Sequence, residues 1–301
     1  MSGIRTVLIG TALDETSEEV VRAGVEVARA TGAKACLAHA FGPPLGVGSS
    51  LWPMLGSEEY LRGEEDRLRA ALEEQAKRVG LAGEWSLESG PPHRALTDLA
   101  ERMDADLLVV GPRADNPLSH LLGSTAERVV RKARCPVLVV RGGLTIPPQR
   151  VVAPVDLSPL SGEAFQQGLE ILRAMGKGTL PEIEALFVLG VLQRQVAPQF
   201  TPEQIDRFTL DELDRFVELT AGDLAGRVRR KVRTGNTREE IEAELAESGA
   251  DLVVLGTHGL GGFDRLVIGS VAADVVRHAP CSVLVVPPAA MRAVSHGEKT
   301  G

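Results

Sequence analysis

Residues 105–111 read ADLLVVG and residues 250–256 read ADLVVLG. Working outward from this pair, the likeness continues in register. Gly123-Ser124 answers Gly269-Ser270, Val129-Val130-Arg131 answers Val275-Val276-Arg277, and Cys135 and Cys281 each introduce a VLVV run. Towards the N-terminal side, 6–17 lines up with 150–161, each an apolar run ending on a serine. Order and spacing hold through the whole length, so the chain reads as one unit duplicated in tandem. The link falls at 142–149, giving units at 1–144 and 149–288 and a polar tail at 289–301.

Within each copy, short apolar strands alternate with charged, helix-length segments. First strands are expected at 7–10 and 151–155, second strands at 34–39 and 184–188, and third strands at 84–88 and 228–233. Helices are expected near 58–79, 95–102, 203–225 and 238–247. Thr16 and Glu19 have the spacing of a capping box, and Ser158 before Pro159 fits an N-cap followed by proline at the first helical position. Strands that are apolar without alternation, each followed by a helix, imply a parallel, right-handed, doubly wound α/β sheet. The last strands, 136–140 and 282–286, would be exposed apolar edges in separate domains. Being short and equivalent, they are expected to cover one another around a pseudo-twofold axis inside the chain.

Composition limits the functions available. Across 301 residues, 44% are hydrophobic and 25% charged, the profile of a globular protein. The net charge of −8 argues against a nucleic-acid-coating surface, which needs a basic face. A single bound nucleotide remains compatible, because a few backbone N–H groups can hold a phosphate. The three cysteines lack C-x-x-C spacing and read as buried apolar residues in a reducing compartment. No apolar run approaches a membrane span, and a cytoplasmic location is expected.

The segment that carries chemistry is 256–271, GTHGLGGFDRLVIGSV. Gly256 closes a strand, Gly259 follows, and Gly269-Ser270 opens the next helix. Glycine permits close backbone approach and positive φ. A helix start offers unpaired N–H groups and a positive dipole end for phosphate. The segment is not a P-loop, since G-x-x-x-x-G-K-[ST] is missing, and its glycines do not complete G-x-G-x-x-G.

This pattern, G-x2-G-x9-G-[ST] on Gly256, Gly259, Gly269 and Ser270, resembles the ATP-binding signature of the universal stress protein family. The flanking Pro154-Val155-Asp156, the ADLVVLG strand and the closing Cys281–Val286 strand resemble that family too. The resemblance covers both halves. It implies the adenine nucleotide alpha hydrolase-like fold, with two five-stranded parallel sheets of order 3-2-1-4-5, and ATP, with Mg2+ on the triphosphate, as ligand. By position it would set Asp156 on the ribose or adenine, Pro154 and Val155 along the base, and Val188 against the adenine. Gly256, His258, Gly259, Gly269, Ser270 and Val271 would hold the phosphates, and Arg265 could reach the terminal one. The first copy departs from the signature, with Ala114 where the second glycine belongs and Ala12 where Asp156 stands. It is therefore expected to bind nucleotide weakly or not at all and to act as a pseudo-symmetric partner.

Each of these residues also has a structural reading. Glycines at strand-to-helix turns can be purely structural, and Asp156 can serve the turn before Ser158. His258 has no second metal ligand at nearby spacing. No nucleophile–base–acid constellation is visible, so an ATP-binding regulatory protein is expected, with hydrolysis slow at most. A nucleotide-dependent hydrolase or transferase, and a nucleotide-free protein-interaction module, are the alternatives. Expected partners are an adenine nucleotide and the chain's own second half. A homodimer of chains is compatible with the sequence, while nucleic acid and membrane are not expected.

Overall fold

The computed structural model describes residues 3–42, 58–81, 84–112, 124–191, 200–257 and 268–288. Among these residues ten strands form one sheet. In the first half they are β1 (Thr6–Gly10), β2 (Lys34–Phe41), β3 (Trp85–Ser89), β4 (Leu107–Val110) and β5 (Val137–Val139). In the second half they are β6 (Arg150–Val155), β7 (Glu182–Gly190), β8 (Val228–Gly235), β9 (Leu252–Gly256) and β10 (Ser282–Val286). The helices of the first half are α1 (Ser17–Thr31), α2 (Glu58–Arg78), α3 (Pro92–Arg102) and α4 (Ser124–Lys132). Those of the second half are α5 (Pro159–Met175), α6 (Pro202–Ala221), α7 (Thr237–Ser248) and α8 (Ser270–His278). A 3-10 segment, Gly222–Arg227, ends the α6 region, where the sequence had suggested continuous helix to 225. Gly222 ends that helix because its φ of 56° is a conformation open to glycine.

The strand order is β3-β2-β1-β4-β5-β10-β9-β6-β7-β8. Each half is parallel with its strands ordered 3-2-1-4-5, and the halves meet through the antiparallel pair β5–β10. In that pair Val139 faces Val283, Leu138 faces Leu284 and Val137 faces Val285. The two apolar edges do cover one another. At one end of the seam Ser282 Oγ accepts the Arg141 N–H at 2.9 Å and donates to the Arg141 carbonyl at 3.0 Å. The Arg141 guanidinium then donates to the Val276 and Arg277 carbonyls at the end of α8. Across the seam Arg277 also reaches both oxygens of Glu127 at 3.1 Å.

Strand alternation divides the apolar residues between two layers. Val7, Ile9, Leu107, Val109, Leu138, Leu252, Val254 and Leu284 face α1, α5 and α6. Leu8, Leu108, Val137, Val139, Val253, Val283 and Val285 face α3, α4, α7 and α8. Both layers run without a break from one half into the other, so the seam is a continuation of the core. Cys36, Cys135 and Cys281 form no disulfide among the described residues and are buried in the second of these layers.

Helix starts correct one expectation. Ser158 does cap α5, accepting the Ser161 N–H, with Pro159 behind it. The Thr16–Glu19 capping box does not form, since Thr16 makes no side-chain cap bond. Asp14 does the work instead: its Oδ1 accepts the Ser17 N–H at 3.0 Å and the hydroxyls of Thr16 and Ser17 at 2.7 Å. A carboxylate gains more from three donors at the positive end of a helix than a hydroxyl does.

Candidate functional site

The sheet changes winding direction between β6 and β9, and ligands of open α/β sheets bind where such strands part. In the second half these strands pair only at Val151–Leu252 and Val152–Val253. In the first half β1 and β4 pair at three positions, to Ile9–Val109. The second-half strands therefore separate earlier. Pro154, which has no N–H to offer a ladder, lies just beyond the last pair.

On the β6 side, the chain turns at Asp156-Leu157-Ser158. Asp156 Oδ1 accepts the Ser158 N–H at 3.0 Å, and Ser161 Oγ accepts the Asp156 N–H at 3.3 Å. Leu157 between them has φ 63°, a left-handed conformation that leucine rarely adopts. These bonds hold the Asp156 carboxyl at the end of β6, so the turn role set out for it is real. Val155 is buried against the α5–α6 layer, Pro154 is half-buried, and Val188 near the end of β7 is buried in the opposite layer.

On the β9 side, Gly256 pairs with Val286, and the buried Thr257 follows. The Thr257 N–H donates to the Val286 carbonyl at 3.2 Å, and the Thr257 carbonyl accepts the Gly269 N–H at 2.7 Å. That second bond holds the start of α8 beside the end of β9. Gly269 is the N-cap of α8, with no side-chain cap bond. Ser270 is exposed and Val271 half-buried. By contrast α5, α6 and α7 are capped by Ser158, Thr201 and Asn236. With no side-chain cap among the described residues, this first turn offers its N–H groups to an anion.

Gly269 does not use the positive φ that glycine allows. Its φ is −57°, and an added Cβ would sit 3.4 Å from the Thr257 carbonyl oxygen. That is the edge of ordinary contact, so neither backbone freedom nor crowding by described atoms demands glycine at this position. Of the expected site residues, the structure brings Pro154, Val155, Asp156, Gly256, Gly269, Ser270 and Val271 to the carboxyl edge around the β6–β9 switch, with Val188 one strand further along. His258 and Gly259, and Arg265 beside them, lie outside the described residues. Three residues that hold the site were missed from sequence: Leu157, Ser161 and Thr257. The repeat carried a signal for two of them, since Leu13 and Ser17 occupy the same places in the first half.

The first half builds the same turn with other chemistry. Leu13 has φ 59°, and Ser17 Oγ accepts the Ala12 N–H at 2.9 Å. Asp14 matches Ser158, the helix cap, and so does not replace the missing Asp156. Thr11 Oγ1 donates to the buried Gln75 Oε1 at 2.9 Å and accepts the Leu13 N–H, while His39 Nδ1 lies 2.9 Å from the Thr11 carbonyl. The end of β1 in the first half is thus closed by polar contacts at positions where the second half has the apolar Val155 and Phe187.

A tandem pair of doubly wound α/β units, joined edge to edge and parted at a switch point, defines the class. The chain belongs to the universal stress protein family, whose sequence model matches it twice, over residues 3–141 and 148–287. A universal stress protein of Staphylococcus aureus strain USA300 is 38% identical over 89 residues, 29% of this chain. The match takes in 53% of that relative, so the chain spans about half the length of the curated relatives it matches. Among solved structures, a functionally unknown protein from Pseudomonas aeruginosa PAO1 superposes with a TM-score of 0.65 at 17% identity, covering 97% of this chain and 95% of that one. A universal stress protein from Archaeoglobus fulgidus gives 0.62 at 16%, covering 94% and 98%. Likeness at these identities speaks for the fold. Among the described residues no helix is long and apolar enough to cross a membrane.

Proposed function

We propose that this protein binds ATP at one site per chain, in the second of two units spanning 1–144 and 149–288, and serves as a cytoplasmic regulatory protein rather than an enzyme. The observation that carries this reading is the uncapped first turn of α8, anchored through Gly269 to Thr257 beside the early parting of β6 and β9. Its N–H groups and dipole suit a phosphate chain. Asp156, fixed by the turn that follows β6, stands ready for a ribose hydroxyl, with Pro154, Val155 and Val188 offering apolar surface to the base. Gly256, His258, Gly259, Ser270 and Val271 complete the set, and Mg2+ would neutralise charge on the triphosphate. The first half, with Thr11 tied to Gln75, acts as the structural partner.

Calorimetric titration of ATP-Mg2+ tests this against a Gly259→Val, Gly269→Val double variant. One site per chain in the wild type, lost in the variant, is the expected result. No binding by nucleotide-free wild type would overturn it and favour a protein-interaction module. Rapid turnover of ATP would favour a hydrolase or transferase.

A further inference from the structure

On the face of the second half away from α5 and α6, helices α7 and α8 pack side by side. Three groups meet there: Glu242 of α7, and Asp274 and His278 of α8. Asp274 and His278 are four residues apart and so share one helix face. One donor atom from each of the three residues lies within 4.8 Å of the other two. His278 Nδ1 is shielded from solvent and, among the described residues, has no hydrogen-bond partner, although Asp274 Oδ1 is 3.4 Å away. That separation is long for a hydrogen bond. It matches the ~3.4 Å expected between two ligand atoms that each sit ~2.0–2.2 Å from a tetrahedral zinc ion.

From this geometry we propose that Glu242, Asp274 and His278 bind a first-row divalent cation of the zinc type, completed by water. An imidazole with two carboxylates favours such an ion over magnesium or calcium, which take oxygen ligands alone. The coordinated nitrogen would gain the partner it lacks, and the ion would fasten α7 to α8. Arg238 is the competitor: its Nη1 lies 3.6 Å from Asp274 Oδ1 and must yield when metal enters. The fold itself does not require this cluster. In the first half the repeat positions of Glu242, Asp274 and His278 are held by Thr97, Arg128 and Lys132, two of them cationic.

The test is calorimetric titration of Zn2+ into the metal-stripped full chain without nucleotide, with melting followed in parallel. One equivalent is expected, together with a rise in melting temperature. Glu242→Gln and His278→Ala should each weaken binding by at least ~10-fold, the scale seen when groups supporting a metal site are removed, and should abolish the rise. Arg238→Ala should tighten it. Glu242 is exposed, so its variant reports on binding without a folding defect. Absence of saturable binding would overturn the proposal. So would binding that survives His278→Ala, or binding that disappears instead in His258→Ala.

Discussion

Leu138 and Leu284 face each other across the β5–β10 seam, and each stands three residues after its copy's cysteine. The same repeat position therefore meets itself, and the local pseudo-twofold axis passes between the two side chains. Both are fully buried, and both belong to the core layer under α1 and α5. Leu284→Ala should cost about 3 kcal/mol in denaturant unfolding, as large-to-small changes in close-packed cores do. An equal loss from Leu138→Ala is expected, because the surroundings are near-equivalent. A loss below ~1 kcal/mol in either variant would mean that the seam is loosely packed.

Asp14 and Asp156 look interchangeable in sequence but should separate by experiment. Asp14→Ala removes the cap of α1 and should lower stability by about 1 kcal/mol, leaving ATP binding unchanged. Asp156→Ala should cut ATP affinity at least ~10-fold, a loss of about 1.4 kcal/mol in binding. Calorimetry on both variants, with thermal melts, would reveal whether the roles are reversed.

Glu184 of β7 and Glu244 of α7 form a buried carboxyl pair. Burial, and then the neighbouring Glu244 charge, push the Glu184 carboxyl up. Burial works against the Glu244 carboxylate too, yet bonds from Lys231 and Arg233 hold it below the usual range. A folded-state value raised above the unfolded one means that the native state binds the extra proton. The Glu184 contribution is thus complete below the ordinary value of 4.5 and is lost as pH rises through the elevated one. Glu184→Gln keeps an N–H donor for Glu244, so the variant should gain on the wild type as pH climbs from acid to neutral. Unfolding free energies that stay parallel across that range would contradict the assignment.

Burial pushes the Cys36 and Cys281 thiols up to about 11. With so little thiolate near neutral pH, a disulfide reagent should leave both unmodified in the native protein and label both on denaturation. Rapid native labelling of either would show that its core layer opens readily.

The duplication, the winding and the seam were all legible in the sequence. Apolar strands repeating in order, with short apolar ends such as Val137–Val139, leave few ways to avoid an open edge. Local details at the site were harder to read. Thr16 and Glu19 satisfy a capping pattern, yet Asp14 takes the start of α1 instead, through the Ser17 N–H and the Thr16 and Ser17 hydroxyls. Leu157 takes a left-handed conformation that its own preferences disfavour, imposed by hydrogen bonds on both sides. Glu184 lies two residues into β7, after the exposed Glu182 and amid apolar residues, and only the packing of α7 over that face explains why it is buried with Glu244.

Joining two sheets edge to edge leaves β3 and β8 as the outer strands of the ribbon among the described residues. β8 presents Arg229, Arg230, Lys231 and Arg233, held by carboxylates from Glu184, Asp214, Glu218, Glu240, Glu244 and Glu247. A foreign strand docking there would have to displace these ion pairs and meet a row of cations. The duplicated chain thus hides its most adhesive margins inside itself and guards an outer one with charge, a defence against stacking into filaments at high concentration.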